Sequence, residues 1–438
     1  MNLLKYISHC KYVEGNAAFS SGFATLINAA IVLQGYDSLN TRTQVGIGIG
    51  ITFLWAVQNA LRIDQQGWLN NFAAFLQFGS TIVIVIVLLV MAPERATAHN
   101  VFTSTYNSTG FPFPYVCFIG ILSTLFSFSG YEAGAHMAEE TRDAGRAGIV
   151  GTCVCSAITG TVYLLALLFA IPNVTSFVEN NSGINGTEDL AVATYRLAVP
   201  LRGALALTIL LIINMYFAGM SAITTTSRIG FAMARDGVFP FSIYLRWIFK
   251  PTKTPIANVF FVFILDSLLL LLQLASTTAF TNMIAITALG FQISYFIPIF
   301  FRCTAARRTF VPREFNLGRF GLPIAIITSI WLFITSIIMF FPAEYPVTKD
   351  NMNYAVVIVG GIAVFATVYW IVSARHWFVG PKRTTKNPFQ LLPVYITSTS
   401  DTKKTLPSPG AIHSSFKDGK LKVTQKYAHP TSYNAVGY

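Results

Sequence analysis

Long apolar stretches separated by short polar segments run through most of the chain. A transmembrane helix needs about 20 mostly apolar residues, and ten stretches of this kind can be counted. Several of them contain no charged residue, for example 71–91 and 203–227. The pattern predicts an all-α polytopic membrane protein with ten transmembrane helices. The stretches lie near residues 18–35, 44–62, 68–92, 113–136, 147–171, 201–222, 255–274, 279–302, 321–342 and 354–374.

Composition favours the same fold class. Of the 438 residues, 53% are hydrophobic and 11% are charged, whereas an ordinary soluble domain carries about 25% charged residues. The mean hydropathy is +0.57. A soluble helical protein would show polar faces between its apolar stripes, and a membrane β-barrel would show alternating segments of about ten residues. Neither pattern is visible.

Three segments follow from this reading. Residues 1–17 form an N-terminal segment, whose charges at Lys5, Lys11 and Glu14 rule out a signal peptide. Residues 18–374 form the membrane domain. Residues 375–438 are polar and basic, and we expect a largely disordered cytoplasmic tail. A solvated tail is the simpler interpretation, and contact with anionic lipid is the alternative.

Basic residues give the expected orientation, because loops on the cytoplasmic side are enriched in Lys and Arg. If the N-terminus is cytoplasmic, the inside loops 223–254 and 302–320 are strongly basic. We therefore expect both termini in the cytoplasm, and the net charge of +12 reflects topology, with no nucleic-acid partner. The basic residues of the outside loops are then Arg42, Arg95, Arg196 and Lys349.

Glycosylation acceptor patterns support this orientation. They fall in the two longest outside loops, 93–112 and 172–200, where the secretory route would place them. Their position indicates a eukaryotic secretory route, and we expect the plasma or vacuolar membrane. The acceptor candidates are Asn107, Asn173, Asn180 and Asn185.

Other motifs are better explained by packing than by chemistry. Cys153 and Cys155 are spaced C-x-C without an accompanying His, which supports neither a disulfide framework nor a metal site. Gly46 and Gly50 form G-x-x-x-G in an apolar helix, which predicts a close-packing face. No nucleophile elbow, paired-aspartate site or metalloprotease motif is present. We expect neither an enzyme nor a bound cofactor or metal.

The stretch LFSFSGYEAGAHMAEET at 125–141 interrupts an apolar helix with polar residues. Gly130 disfavours helix by about 1 kcal/mol relative to Ala, and serine hydroxyls can satisfy freed backbone groups. Broken helices at membrane depth bind charged substrate groups at their exposed ends, and Glu132 adds an ionisable group inside the span. The alternative is a kinked helix with a Ser/Gly packing face and Glu132 near its cytoplasmic end.

Two motifs resemble a known family. FSFSGYEAGAHMAEETRDAGRAG at 126–148 resembles the sixth helix of amino acid permeases in the amino acid–polyamine–organocation superfamily. GMSAITTTSRIGFAMARDGVFPF at 219–241 resembles the loop after their eighth helix. The likeness covers about 17–375 and is strongest to the eukaryotic branch carrying neutral amino acids, 4-aminobutyrate and choline. It implies a five-plus-five inverted repeat with two extra helices and two broken helices around the substrate.

The resemblance also implies site residues. Phe126 falls at an aromatic gate, Ser127 and Ser129 in the unwound stretch that meets the substrate's amino end, and Gly130 at its turn. The implied substrate-binding set is Phe126, Ser127, Phe128, Ser129, Gly130, Tyr131 and Glu132, with Asn214 and Tyr216 added because they are polar at mid-span. Glu132 is a candidate for proton coupling or for hydrogen bonding at the helix end. Asp266, a lone charge within FVFILDSLLLLLQ, is first a structural feature and second a proton-coupling candidate.

The chain departs from the family in two respects. The signature helix is the family's sixth but the fourth apolar stretch here, so we expect two N-terminal helices to be missing. The absent first helix would carry the glycine-rich break that holds the substrate carboxylate. The segment EETRDAGRAGIVGT is also shorter than in relatives and lacks their proline.

Three functional hypotheses remain. The first is a secondary transporter of amino acids or related amines, driven by a proton gradient through alternating access in the lipid bilayer. The second is a non-transporting paralogue that acts as a sensor or as the partner subunit of a full-length permease. The third, a membrane enzyme, would need an intramembrane catalytic pair, and none is visible.

Overall fold

The computed structural model divides the chain into two compact units, 1–382 and 383–438. The helices of the first unit confirm the prediction of an all-α membrane protein. The residues that the structure describes are 2–61, 63–128, 130–133, 154–181, 189–237, 242–249, 251, 254–310, 316–342, 345–348, 352–377, 414–417 and 420–423.

Fifteen α-helices are described in the first unit. They are α1 (Asn2–Leu33), α2 (Thr41–Ala60), α3 (Ile63–Met91), α4 (Ala98–Thr103), α5 (Phe113–Ser127), α6 (Gly160–Phe169), α7 (Val174–Asn181), α8 (Leu190–Ala198), α9 (Leu201–Arg235), α10 (Ser242–Leu245), α11 (Ile256–Ala275), α12 (Thr277–Cys303), α13 (Gly321–Ile338), α14 (Ala355–Tyr369) and α15 (Arg375–Trp377). A short π-helix, Val154–Thr159, leads directly into α6, and a second one, Trp370–Ala374, follows α14. A 3₁₀ turn, Gly318–Phe320, precedes α13.

Seven helical segments of the described chain are long and apolar enough to cross a membrane, so the predicted count of ten is not confirmed. The remaining three predicted stretches correspond to α2, α5 and the helix around α6. Both ends of α2 are polar, α5 has 15 residues, and the apolar helix Ala157–Phe169 is shorter still. The seven are Lys11–Leu33, Asn71–Met91, Leu201–Arg235, Ile256–Ala275, Ile286–Cys303, Gly318–Ile338 and Ala355–Val372.

Large apolar side chains cover the outer faces of the peripheral helices. Phe75 on α3 is 79% exposed, Ile327 on α13 is 68% exposed and Val357 on α14 is 66% exposed. Soluble monomers rarely expose contiguous apolar patches of more than a few hundred Å². A hydrocarbon environment accommodates these faces without cost, as a multi-pass membrane protein requires.

Helix α1 is the hub of the bundle and packs against α2, α9, α11, α12 and α14. It begins at Asn2, well before the apolar stretch predicted at 18–35. Its first half carries buried polar side chains that face other helices and not lipid, and these interrupt the hydropathy pattern. Four of them are His9, Lys11, Glu14 and Asn16.

Close packing between α2 and α9 depends on one glycine. Trp55 is fully buried, and a Cβ atom at Gly219 would overlap its indole ring. The predicted packing face at Gly46 and Gly50 is wrong, because a Cβ at either meets no described atom within 4 Å. The buried glycine is Gly48, two positions from each and therefore on the opposite face of the helix.

The second unit contains two short antiparallel strands, β1 (Ser414–Lys417) and β2 (Lys420–Val423), with Ser414 opposite Val423. Both strands lie within the tail predicted to be disordered. The rest of residues 378–438 lies outside the described part of the chain, so disorder stays a prediction there.

Candidate functional site

The helix break predicted from the sequence begins where α5 ends, at Ser127. Gly130 has φ +88°, a left-handed conformation that L side chains rarely adopt. Its N–H donates to the Tyr295 hydroxyl at 3.1 Å, and its carbonyl accepts from the N–H of Ala133 at 3.0 Å. The backbone therefore turns sharply at Gly130 and is tied to α12 there.

Two cavities meet at this break. The larger is about 770 Å³ and lies between α1, α3, the end of α5, α6 and α9. The smaller is about 360 Å³ and is bounded by α1, the turn at Gly130, α9 and α12. Phe19, Ser127 and Ala218 line both. The last residue of α5 thus stands between two spaces in the size range of small-molecule sites.

Several predicted site residues converge on these cavities. Ser127 and Phe128 line the larger one, and Gly130 lines the smaller one together with Ser127. Tyr131 is 43% exposed and stacks on Tyr295, with ring centroids 4.7 Å apart. The side chain of Phe126 and the whole of Ser129 lie outside the described residues.

Asn214 and Tyr216 occupy different places although they lie two residues apart on α9. Asn214 lines the larger cavity, and its Nδ2 donates to Ser80 Oγ at 2.7 Å. Its buried Oδ1 has no hydrogen-bond partner among the described atoms. Tyr216 accepts a hydrogen bond from Gln58 and packs against Trp55, away from both cavities. Because residues two positions apart lie about 200° apart around a helix, the two side chains are on opposite faces of α9. Of the two predicted residues, only Asn214 lies at a cavity.

Glu132 lies at the centre of a buried network. Its Oε1 accepts hydrogen bonds from Lys11 Nζ at 2.9 Å and from the Tyr12 hydroxyl at 2.6 Å, and its Oε2 accepts from the Tyr295 hydroxyl. These donors come from α1 and α12, so one carboxylate joins three parts of the bundle. A carboxylate with an ammonium and two hydroxyl donors is well stabilised in its ionised form.

Sequence reasoning missed Lys11 as part of the site and counted it only as a charge in an N-terminal segment. The Lys11 side chain is 2% exposed, and its Nζ also donates to Ser294 Oγ at 2.6 Å. Its ammonium lies 4.3 Å from the Phe291 ring centroid and 4.9 Å from that of Tyr295. Such aromatic walls favour a cation. The sequence feature that could have identified Lys11 is a lysine directly beside a long apolar stretch.

Asp266, the second proton-coupling candidate, lies apart from the cavities. Its carboxyl is fully buried on α11, and neither carboxyl oxygen has a hydrogen-bond partner among the described atoms. Nearby on α1, Asn16 Oδ1 accepts from Thr226 Oγ1 of α9 at 3.2 Å. Within the described part of the chain Asp266 has no ion-pair partner. The residue is thus buried between α1, α9 and α11, away from the break.

Two of the glycosylation candidates can be placed. Asn107 and Asn173 are exposed. The Asn107 carboxamide accepts from the N–H and the hydroxyl of Thr109, which completes its acceptor pattern. The side chain of Asn180 and all of Asn185 lie outside the described residues. Exposure is a requirement for modification, and whether it occurs stays a prediction.

Comparison with known sequences identifies the family. Residues 5–363 match the amino acid permease family. The chain belongs to the amino acid permease family. It is 33% identical over 347 residues to amino-acid permease BAT1 of Arabidopsis thaliana, which covers 77% of this chain and 67% of that protein. It is 34% identical over 336 residues to the BAT1 homolog of Oryza sativa, covering 74% of this chain and 64% of the homolog.

A third permease relative differs in its named cargo. The thiamine transporter thi9 of Schizosaccharomyces pombe is 31% identical over 255 residues, which cover 57% of this chain and 42% of thi9. The chain spans about two thirds of the length of the plant permeases it matches. These relatives are permeases and transporters, and the prediction that the chain is not an enzyme is confirmed.

Proposed function

We propose that this permease is a secondary active transporter of amino acids or related amines. The candidate cargoes are a neutral amino acid, 4-aminobutyrate and a choline-like amine. The observation that carries the proposal is the break itself. Ser127 and Gly130 line two adjacent cavities, and the larger one is also lined by Asn214, whose buried Oδ1 has no hydrogen-bond partner among the described atoms. Buried polar groups normally have partners, and the amino group of a substrate supplies donors of the required kind.

The mechanism we propose is alternating access. The helix that ends at the break rocks against the rest of the bundle, so that the cavities open to one side and then to the other. The Glu132 network joins the break to α1 and α12, and it must loosen when the break moves. Proton coupling is part of the proposal, with Glu132 and Asp266 as the candidate groups.

Orientation and location complete the proposal. Both termini are cytoplasmic, and the membrane is the plasma or vacuolar membrane of a eukaryotic cell. The basic loops and the exposed Asn107 and Asn173 support this arrangement.

The test is uptake by the purified full chain in proteoliposomes. Radiolabelled alanine, 4-aminobutyrate and choline are offered separately, with an inward proton gradient and protein-free vesicles as blanks. We expect one of the three to accumulate and a protonophore to abolish that accumulation. Accumulation that needs sodium and ignores the protonophore would contradict proton coupling.

A glycine pair provides the matched control. Gly130 and Gly35 have nearly the same φ, +88° and +87°, and a Cβ at either meets no described atom within 4 Å. Replacing either by Leu introduces the same backbone strain, about 1–2 kcal/mol. Gly130→Leu should abolish substrate binding, and Gly35→Leu should retain it. Equal binding by the two variants would remove the break from the substrate site.

The competing candidate is a non-transporting paralogue that acts as a sensor or as the partner of a full-length permease. It would be supported if the folded chain took up none of the three substrates and co-purified with a full-length permease from its native membrane.

A further inference from the structure

Four aromatic side chains line the larger cavity, and each comes from a different part of the bundle. Phe19 belongs to α1, Phe78 to α3 and Tyr163 to α6, while Phe128 directly follows α5 at the break. Among the described residues, none of the four rings pairs with another aromatic ring. No described aromatic partner therefore competes with a bound molecule for these rings.

The position of Phe128 is set by a glycine on α6. A Cβ atom at Gly160 would lie 3.0 Å from Phe128 Cε1 and 3.3 Å from its Cζ, so the ring rests against the helix backbone. Tyr163 lies three residues further along α6, which places it on the same helical face as Gly160. Phe128 and Tyr163 are therefore neighbours on one wall of the larger cavity.

The described residues that line the larger cavity carry no charge. The smaller cavity differs, because two of its rings already face a cation of the protein. The ring centroids of Tyr12 and Phe291 lie 5.0 Å and 4.3 Å from Lys11 Nζ. A cationic cargo there would compete with Lys11 for the same ring faces. Since aromatic faces attract cations, the rings of the larger cavity are the better place for one.

Hydrogen bonding in the larger cavity also favours a cation over a carboxylate. Thr81 Oγ1 donates to the Gln77 carbonyl at 2.8 Å, and Thr124 Oγ1 donates to the Ile121 carbonyl at 2.7 Å. A hydroxyl group has one proton, so both oxygens are left as acceptors. Because no Lys or Arg is among the described lining residues, a carboxylate would lack a cationic partner in this cavity.

The orientation of the Asn214 amide follows from its neighbour Ser80. Ser80 Oγ donates its proton to the Gln77 carbonyl at 3.0 Å, so it can only accept from Asn214. The group that meets it at 2.7 Å is therefore the NH2 group of Asn214. The buried atom without a partner among the described atoms is the carbonyl oxygen Oδ1. Asn214 Oδ1 thus lacks a donor, which a bound hydroxyl group can supply.

We propose that the larger cavity binds a quaternary ammonium cation that carries a hydroxyl group, of which choline is a small example. The methylated ammonium lies among the four rings, and the hydroxyl donates to Asn214 Oδ1. A quaternary ammonium has no N–H group that needs an acceptor, so aromatic faces suit it. The inference rests on the proposed transport function for its biological meaning and deepens it by choosing one of the three candidate cargo classes.

The test is equilibrium binding of radiolabelled choline to the purified full chain in lipid nanodiscs, with unlabelled competitors. Betaine has the trimethylammonium group of choline but a carboxylate in place of the alcohol, and tetramethylammonium has neither. Unlabelled choline should compete at a concentration lower than that of betaine or alanine by about tenfold or more. Betaine or alanine competing as well as choline, or no binding of choline, would overturn the proposal.

A pair of phenylalanines on α3 tests the role of the rings. Phe78 lines the larger cavity, whereas Phe75, three residues earlier, is not among its described lining residues and is 79% exposed. Phe78→Leu should weaken binding of both choline and tetramethylammonium by about threefold or more. Phe75→Leu should leave both affinities unchanged. Equal effects of the two variants would remove the rings from the site.

Asn214→Leu tests the hydroxyl contact. The variant should weaken choline binding by about tenfold or more and leave tetramethylammonium binding unchanged, which also shows that it is folded. Equal loss of both ligands, in a variant that elutes as the wild type does in gel filtration, would overturn the hydroxyl contact. Because Phe78 is 55% exposed, Phe78→Leu keeps the test decisive if Asn214→Leu does not fold.

Binding is measured without a gradient, so this inference and the proposed transport can fail separately. Choline binding without uptake of any of the three substrates would contradict transport and support the cation site. Uptake of alanine by a chain that binds choline no better than betaine would overturn the cation site and leave transport standing.

Discussion

Breaking the ion pair between Lys11 and Glu132 is the strongest test of the network at the break. Lys11→Met keeps an apolar stem of the same length and removes the ammonium. Among the described residues, the variant leaves Glu132 with the hydroxyls of Tyr12 and Tyr295. It also removes the cation from the aromatic walls formed by Phe291 and Tyr295.

The expected loss of stability can be set from burial. The Lys11 and Glu132 side chains are 2% and 16% exposed, so solvent screens their interaction weakly. Removing one partner of a buried pair costs about 3–5 kcal/mol, because the other charge is left uncompensated. Replacing both partners removes that penalty. Lys11→Met/Glu132→Gln should therefore be more stable than Lys11→Met, with a coupling energy of about 3 kcal/mol in the double-mutant cycle.

The assay is equilibrium unfolding of the purified full chain in mixed micelles that contain increasing amounts of a denaturing detergent. Tryptophan fluorescence monitors the unfolding. Trp55 is fully buried and reports loss of the bundle. Arg42→Met, at an exposed position at the start of α2, is the control and should change stability by no more than about 0.5 kcal/mol. A Lys11→Met loss below about 1 kcal/mol, or a double variant as unstable as the sum of the singles, would refute the reasoning.

Two further predictions concern α9. Gly219→Ala should lower the free energy of unfolding by about 1–3 kcal/mol, because the new methyl group overlaps Trp55. Gly46→Ala should raise the free energy of unfolding by up to about 1 kcal/mol, because the new methyl group meets no described atom. Equal changes in the unfolding free energy of the two variants would contradict the contact between Gly219 and Trp55. Asn214→Leu should weaken binding of the transported substrate at least tenfold, since it removes an acceptor at the larger cavity. Tyr216→Phe should leave equilibrium substrate binding unchanged, and the reverse order would place the substrate elsewhere.

The fold class followed from the sequence because apolar stretches of membrane length leave few alternatives. Helix boundaries were less predictable. The start of α1 was missed because hydropathy treats a buried Lys11 or Glu14 as an external residue, whereas interhelical partners stabilise both inside the bundle. Gly46 and Gly50 were mistaken for a packing face because the sequence shows spacing but does not show which face of α2 meets a neighbour. Gly48 and Gly219 make the observed contacts.

Of the candidate site, the part encoded locally could be predicted. A run of Ser and Gly in an apolar helix indicates a broken backbone, and Gly130 has the left-handed conformation that such a break needs. The partners of Glu132 come from α1 and α12, and nothing near residue 132 identifies them. In the sequence, Asn214 and Tyr216 were equivalent polar residues at mid-span. The sequence did not show which face of α9 each of them occupies.

The polar first half of α1 has a consequence for biogenesis. The translocon-scale cost of a lysine at the centre of an isolated membrane helix is about 2.5–3.5 kcal/mol. Lys11 is synthesised 121 residues before Glu132 and 283 residues before Ser294. The nascent helix therefore emerges long before the groups that neutralise its charge. Membrane integration of α1 must keep this end near the lipid headgroups until Glu132 and α12 have been made, so α1 reaches its final depth only after those later segments.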